Sequence, residues 1–179
     1  MYKYKFIITI ALLCCISSFG LTQNNNKLSL EAIYKEFEFA EERLGAMQWL
    51  PDGKSYSVVE KAENGQNIVK VDIESGDKSI LVSAESLFIK NESKPVHIES
   101  YTFSDDMNHL IIFTNSKRVW RYNTIGDYYH LNMQTAVLSK IAPDAKPSSL
   151  QFAKLSPKGD KIAYVYENNI YAQNLISGK

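Results

Sequence analysis

From Met47 onward the chain alternates short apolar runs with tight polar turns, and the alternation recurs at long range. One passage reads Trp49-Leu50-Pro51-Asp52-Gly53-Lys54-Ser55-Tyr56. A second reads Phe103-Ser104-Asp105-Asp106-Met107-Asn108-His109-Leu110, and a third reads Leu155-Ser156-Pro157-Lys158-Gly159-Asp160-Lys161-Ile162. Each is an apolar residue, a turn, and then an apolar run such as Ile111 to Phe113 or Ala163 to Val165. Proline presets φ at the start of such a turn and glycine accepts the left-handed conformation near its end. A second phrase keeps step with the first. Asn67 to Gly76 matches Asn169 to Gly178, and Tyr128 to Ala136 fits the same mould more loosely.

Leu50 to Ser104 spans 54 positions and Ser104 to Ser156 spans 52. A period near 40–50 residues with four short strands per unit is the mark of a β-propeller. The expected fold is therefore all-β, a partial propeller of about two and a half four-stranded blades. Two blades run from Met47 to Val82 and from Val96 to Ile141, and a third begins near Leu150. A β-sandwich with similar hairpins is the competing architecture, but it has no reason to repeat at this distance. So few blades would leave strand edges unpaired, so the chain is expected to be part of a longer protein.

Upstream the pattern changes. Leu30, Ile33 and Tyr34 recur at helical spacing, Ser29 can cap, and Glu31 sits in the first turn, which predicts one or two turns of helix and then an extended lead-in. Phe6 to Phe19 is almost wholly apolar and follows Lys3 and Lys5, and the small residues Ser18 and Gly20 stand at its end. This is the layout of a secretion leader, cleaved after Gly20 or after Gln23. The run is short for a membrane-spanning helix, which needs roughly 20 apolar residues. The expected organisation is a signal peptide over 1–23, a lead-in with a short helix over 24–46, and an incomplete propeller over 47–179. Export to the periplasm or the extracellular space is the expectation.

Composition adds little. The formal net charge is zero, which gives no electrostatic reason to expect nucleic acid as a partner. Both cysteines, Cys14 and Cys15, lie inside the leader, so no disulfide or cysteine-based zinc site is expected afterwards.

Candidate chemistry is sparse. No serine stands in G-x-S-x-G, and no histidine pair has metal-binding spacing. His97, His109 and His130 fall on or beside different strands and read as surface or packing residues. Glu41-Glu42 reads as a solvated pair, and Asp105-Asp106 as turn chemistry. No catalytic residue, metal ligand or cofactor site is expected within the chain. The unusual stretch is Lys117 to His130, which crowds Trp120, Tyr122, Tyr128 and Tyr129 around Arg121. On composition alone it reads as aromatic packing, with Arg121 stacked on a ring or paired with Asp127.

Val119-Trp120-Arg121-Tyr122 followed by Gly126-Asp127-Tyr128-Tyr129-His130-Leu131 resembles the N-terminal propeller of the dipeptidyl peptidase IV family. Leu28 to Ile33, Met47 to Gly53, and Leu155 to Val165 with Asn168 to Tyr171 are similar to the same family in the same order. The resemblance implies a secreted serine exopeptidase that removes dipeptides from free N-termini, with proline or alanine second. It implies a C-terminal α/β-hydrolase domain carrying the Ser-Asp-His triad, absent from this chain, so the fragment alone is expected to be inactive. It also implies that Arg121 binds the substrate's backbone carbonyl, a task suited to a permanently charged guanidinium with several donors. The family's paired glutamates have no counterpart here. Expected partners are peptides with Pro or Ala second, the hydrolase domain, and a second copy in a homodimer. The alternative is a stand-alone exported propeller that binds without catalysis.

Overall fold

Alternation along a single strand organises the core. Leu110 and Ile112 point to one side of their strand and Ile111 to the other, as the two-residue period of extended chain requires. A strand buried on both faces needs a sheet on each side, and the computed structural model supplies them. It describes residues 28–40, 45–89 and 92–175; the leader, Glu41-Glu42 and the final Ser-Gly turn lie outside the described residues. The chain divides into two units, Met1–Glu42 and Arg43–Lys179. In the first, helix α1 (Leu30–Tyr34) is capped as expected, with the Ala32 N–H donating to Ser29 Oγ at 3.0 Å. Residues 35–39 then form turns and a bend, where an extended lead-in was expected, and Phe37 takes the left-handed φ of 52°.

The second unit is antiparallel sheet with one short 3-10 helix, Ala84–Leu87, after the first blade. Strands β1 (Met47–Trp49), β2 (Ser55–Ala62), β3 (Gly65–Asp72) and β4 (Lys78–Val82) pair in sequence order as blade one. Strands β5 (Ser100–Phe103), β6 (His109–Val119), β7 (Tyr122–Asn132) and β8 (Val137–Lys140) form blade two in the same order. Strands β9 (Leu150–Leu155), β10 (Lys161–Tyr166) and β11 (Asn169–Asn174) belong to blade three. Blade one keeps the limits expected from the repeat, the strands of blade two begin at Ser100 where Val96 was expected, and the fold is a partial β-propeller.

The repeat is reproduced down to single hydrogen bonds. Gly53, Met107 and Gly159 donate to the carbonyls of Leu50, Ser104 and Ser156, closing the same turn three times. Their φ angles are 63°, 59° and 71°, so Met107 holds the left-handed conformation although it is not a glycine. Asp52, Asp106 and Asp160 each accept a serine hydroxyl in these turns. The Asp106 carboxyl is held down to about 2 by the Ser104 hydroxyl and the Asn108 amide, so Asp105-Asp106 does serve the turn.

One feature departs from separate four-stranded blades. Strand β7 is longer than its neighbour β8, which covers only Tyr129 to Asn132. The uncovered half takes β9 instead, through Ile125 opposite Gln151 and Gly126 opposite Leu150, so blades two and three share one sheet. An uncovered edge carries unpaired backbone groups, and β9 pairs with two residues of it.

The core lies between blades. Ile68, Val82, Leu87, Ile98, Tyr101, Leu110, Ile112 and Leu131 fill the boundary of blades one and two. Ile111, Tyr128, Ile141, Leu150 and Ile162 fill that of blades two and three. Polar stitches cross the first boundary: Tyr101 Oη lies 2.7 Å from Ser57 Oγ, and the Gln66 side-chain amide both donates to the Ile98 carbonyl and accepts the Ile98 N–H. Burial pushes the Tyr101 phenol upward, so it stays a neutral hydrogen-bonding group.

Candidate functional site: an arm on blade two

Strands β6 and β7 each run eleven residues, whereas β2 and β3 each run eight. The excess forms an arm. Up to Thr114 opposite Asp127 the pairing is regular. It then resumes as Lys117 opposite Ile125, Arg118 opposite Asn123 and Val119 opposite Tyr122. One extra residue sits on β6 and then one on β7, so the two irregularities cancel in register. Bulges of this kind bend a hairpin and re-aim what lies beyond them.

The two residues between Val119 and Tyr122 are Trp120 and Arg121. Trp120 has φ 57°, at a tip position that glycine usually fills. Trp120 is 93 % exposed and Tyr122 is 72 % exposed. Arg121 is exposed beside them, and no other described residue bonds or ion-pairs with its guanidinium. The pairing with Asp127 that composition suggested is not formed. Arg118 Nε donates to the Trp120 carbonyl at 3.1 Å and tightens the tip.

The base of the arm carries most of its side-chain bonds. Asp127 is 5 % exposed and accepts Asn115 Nδ2 at 2.7 Å and the Ser148 N–H at 3.0 Å. Lys140 Nζ on β8 stands 3.3 Å from the same carboxylate. On the other leg, the Ser116 N–H donates to Glu99 Oε1 at 2.9 Å. Gly126 lies so close to Phe113 and the Thr114 carbonyl that a Cβ there would stand 2.4 Å and 2.7 Å from them. Beside the rising leg, a cleft of about 300 Å³ opens between β5, β7 and β9, with Asn123, Thr124, Tyr128 and Phe152 among its walls.

The histidines divide. His97 is exposed in the connection between blades one and two. His109 and His130, read from sequence as unrelated, lie on adjacent strands with Nδ1 and Nε2 at 2.9 Å and rings stacked at 5.1 Å. Burial, then the neighbouring His109, lower the His130 imidazole to about 4. The Gly159 turn of blade three packs on the His109 ring. Only the register, with His130 opposite Ile111 and His109 opposite Asn132, reveals this pair. Among the described residues no group of three or more His, Cys, Asp or Glu could hold a metal ion, and no helix is long and apolar enough to cross a membrane.

The family described as dipeptidyl peptidase IV (DPP IV) N-terminal region matches residues 104–179, a span that contains the whole arm. Dipeptidyl aminopeptidase B of Saccharomyces cerevisiae is 31 % identical over 137 residues, which are 74 % of this chain and 16 % of that protein. The probable dipeptidyl-aminopeptidase B of Trichophyton verrucosum is 31 % identical over 104 residues, covering 58 % of this chain and 12 % of the relative. The chain thus spans about one-sixth or less of these relatives. The crystal structure of Porphyromonas gingivalis dipeptidyl peptidase 4 superposes with a TM-score of 0.67 at 20 % identity, over 85 % of this chain and 21 % of that one. That likeness concerns the fold, and it agrees with the repeated blades. Sequence and fold together place the chain in the dipeptidyl peptidase IV family, as its N-terminal region.

Proposed function

We propose that this chain is the N-terminal propeller part of an exported serine exopeptidase that removes Xaa-Pro and Xaa-Ala dipeptides from peptide N-termini. The catalytic triad belongs to a hydrolase domain beyond this chain, and the propeller positions the substrate. Arg121 is the group within the chain that meets the peptide, donating to a backbone carbonyl. The observation that carries this reading is the placement of Arg121 at the tip of an over-long, bulged hairpin, with no partner among the described residues. A guanidinium stays charged at every working pH and offers its donors in a fixed plane, which suits a carbonyl acceptor. A left-handed, non-glycine residue next to it is the kind of local strain that collects at functional tips. Support for the peptidase class comes from the names of the relatives.

Arg121→Ala in the full-length protein tests it. A hydrogen bond from a charged donor contributes about 1.5–3 kcal/mol, so kcat/KM for a Xaa-Pro substrate should fall roughly 10–150-fold at unchanged thermal stability. Arg121→Lys should recover part of the loss. Full activity in the alanine variant, or a loss that only follows stability, overturns the reading. Export is tested separately: N-terminal sequencing of secreted protein should begin near Leu21 or Asn24, and an intact Met1 in a cytoplasmic product would contradict it.

A further inference from the structure

The arm raises a question that its tip does not answer: what fixes its direction. A two-stranded ribbon carrying two bulges has few backbone bonds with which to hold an angle. Of its outer residues, Lys117, Arg118, Trp120, Arg121, Tyr122 and Asn123 are exposed and Val119, Thr124 and Ile125 are half-buried, so packing gives it little hold. The direction must be set at the base. There the buried carboxylate of Asp127 joins three separate pieces of chain. Asn115 belongs to the opposite leg and opens the first bulge, with φ 49°. Lys140 belongs to β8. Ser148 belongs to the connection leading into blade three and is itself left-handed, with φ 54°. Two non-glycine residues in strained conformations are thus both tied to one side chain.

We infer that Asp127 is the positioning residue of the arm: its carboxylate latches the bulge at Asn115 to β8 and to the Ser148 connection, and so sets where Arg121 is presented. The inference rests on the reading of Arg121 as a substrate contact. Asp127 itself touches no substrate. An acceptor-only group with two oxygens suits the place, because all three partners are donors. An asparagine in its position would turn an NH₂ group toward one of those donors and lose the attraction of Lys140, while preserving shape.

Asp127→Asn in the full-length protein separates a latch from a general structural role. Lys117, Arg118 and Arg121 make the arm a trypsin substrate once it swings free. Limited trypsin digestion under native conditions, with cleavage sites mapped by mass spectrometry, should show cutting at these residues accelerated about tenfold. For a Xaa-Pro substrate, KM should rise about tenfold while kcat changes less than about threefold, since the chemistry lies elsewhere. In an Arg121→Ala background the same substitution should add little, because the group being aimed is already gone. Asp127→Glu, which keeps the charge, should restore part of KM. Unchanged cleavage of the arm overturns the inference, and so does a KM that stays put when the arm is cut faster. A failure of Arg121→Ala to affect activity removes the reading beneath it, and that outcome is recognised independently because the trypsin pattern does not depend on substrate.

Discussion

Blades one and two contain the same hairpin built to two specifications. Strands β2 and β3 pair without interruption from Ser55 opposite Asp72 to Ala62 opposite Gly65. Strands β6 and β7 pair regularly as far as Thr114 and Asp127, then break register twice and continue into an exposed tip. The regular hairpin buries apolar residues on both faces, with Ile68 on one side and Val69 and Val71 on the other. The irregular one does the same in its lower half, and above it most residues are polar, charged or exposed aromatics, with Val119 and Ile125 only half-buried. Packing therefore accounts for the lower half and offers no reason for the upper. An extension with no core to fill, anchored by a buried carboxylate, is where a molecule invests order for purposes other than stability.

The sharpest way to break the comparison is at the junction between the halves. Gly126→Ala would drive a Cβ into the Phe113 ring and the Thr114 carbonyl, and one of these contacts is rigid backbone. The expected loss is about 3 kcal/mol or more, read as a fall in melting temperature together with faster proteolysis of the arm. Blade one has no equivalent crowding at the exposed Gly76, where an added Cβ meets nothing within 4 Å. Gly76→Ala should cost only about 1 kcal/mol, from its φ of 74°.

Next in size is a pH effect confined to blade two. Lys70 of blade one reaches out to Asp52, whereas the equivalent His130 is buried against His109. His130 is lowered from 6.5 to about 4 in the folded protein, so the unfolded chain binds the proton more readily between those values. Stability is then complete above about pH 6.5 and is lost as pH falls toward 4. The loss should be on the order of 2 kcal/mol, discounted because His109 is only partly buried. Asp106, in the adjoining turn, stays ionised over this range and does not remove the effect. Thermal melts at pH 7.5 and 4.5 should differ less for His130→Phe than for the unaltered protein; an equal difference in both would show that other groups are responsible.

The smallest effect concerns the tip. Trp120→Gly relieves the left-handed φ of 57° and removes an almost fully exposed ring. Stability should stay constant or rise by up to about 1 kcal/mol. Activity should fall if the tip's stiffness helps to present Arg121. A clear loss of stability would mean that the ring contributes to folding, and would weaken the contrast between the two hairpins.

What the sequence made legible was local in origin. The turns at Leu50, Ser104 and Ser156 are written in side chains a few residues from the bonds they form, so three copies could be aligned and the blade limits followed. Met107, which departs from the glycine of its counterparts, nevertheless keeps their backbone. The Ser29 cap was visible for the same reason. Within the sheets, the missed features depend on register. Composition offered Asp127 as a partner of Arg121, with stacking on a ring as the other option, yet the bulges carry the tip away and leave the carboxylate to Asn115, Lys140 and Ser148. The His109 and His130 rings lie 21 positions apart, and only the pairing of β6 with β7 brings them together. The bond between β7 and β9 arises because β8 is short, a property of a neighbour and not of β7 itself.

That last bond changes how the unit should come apart. Between blades one and two there are side-chain contacts and a few stitches, whereas blades two and three share backbone hydrogen bonds within one continuous sheet. Opening a gap of the first kind leaves each sheet's ladder intact; opening one of the second kind exposes amides at Gly126 and Leu150 together. Blades two and three should therefore behave as a single cooperative block in amide exchange, losing protection at a common rate. Blade one can loosen on its own clock. The arm rises from the block's interior seam, so its root is tied to the part of the unit that breathes least.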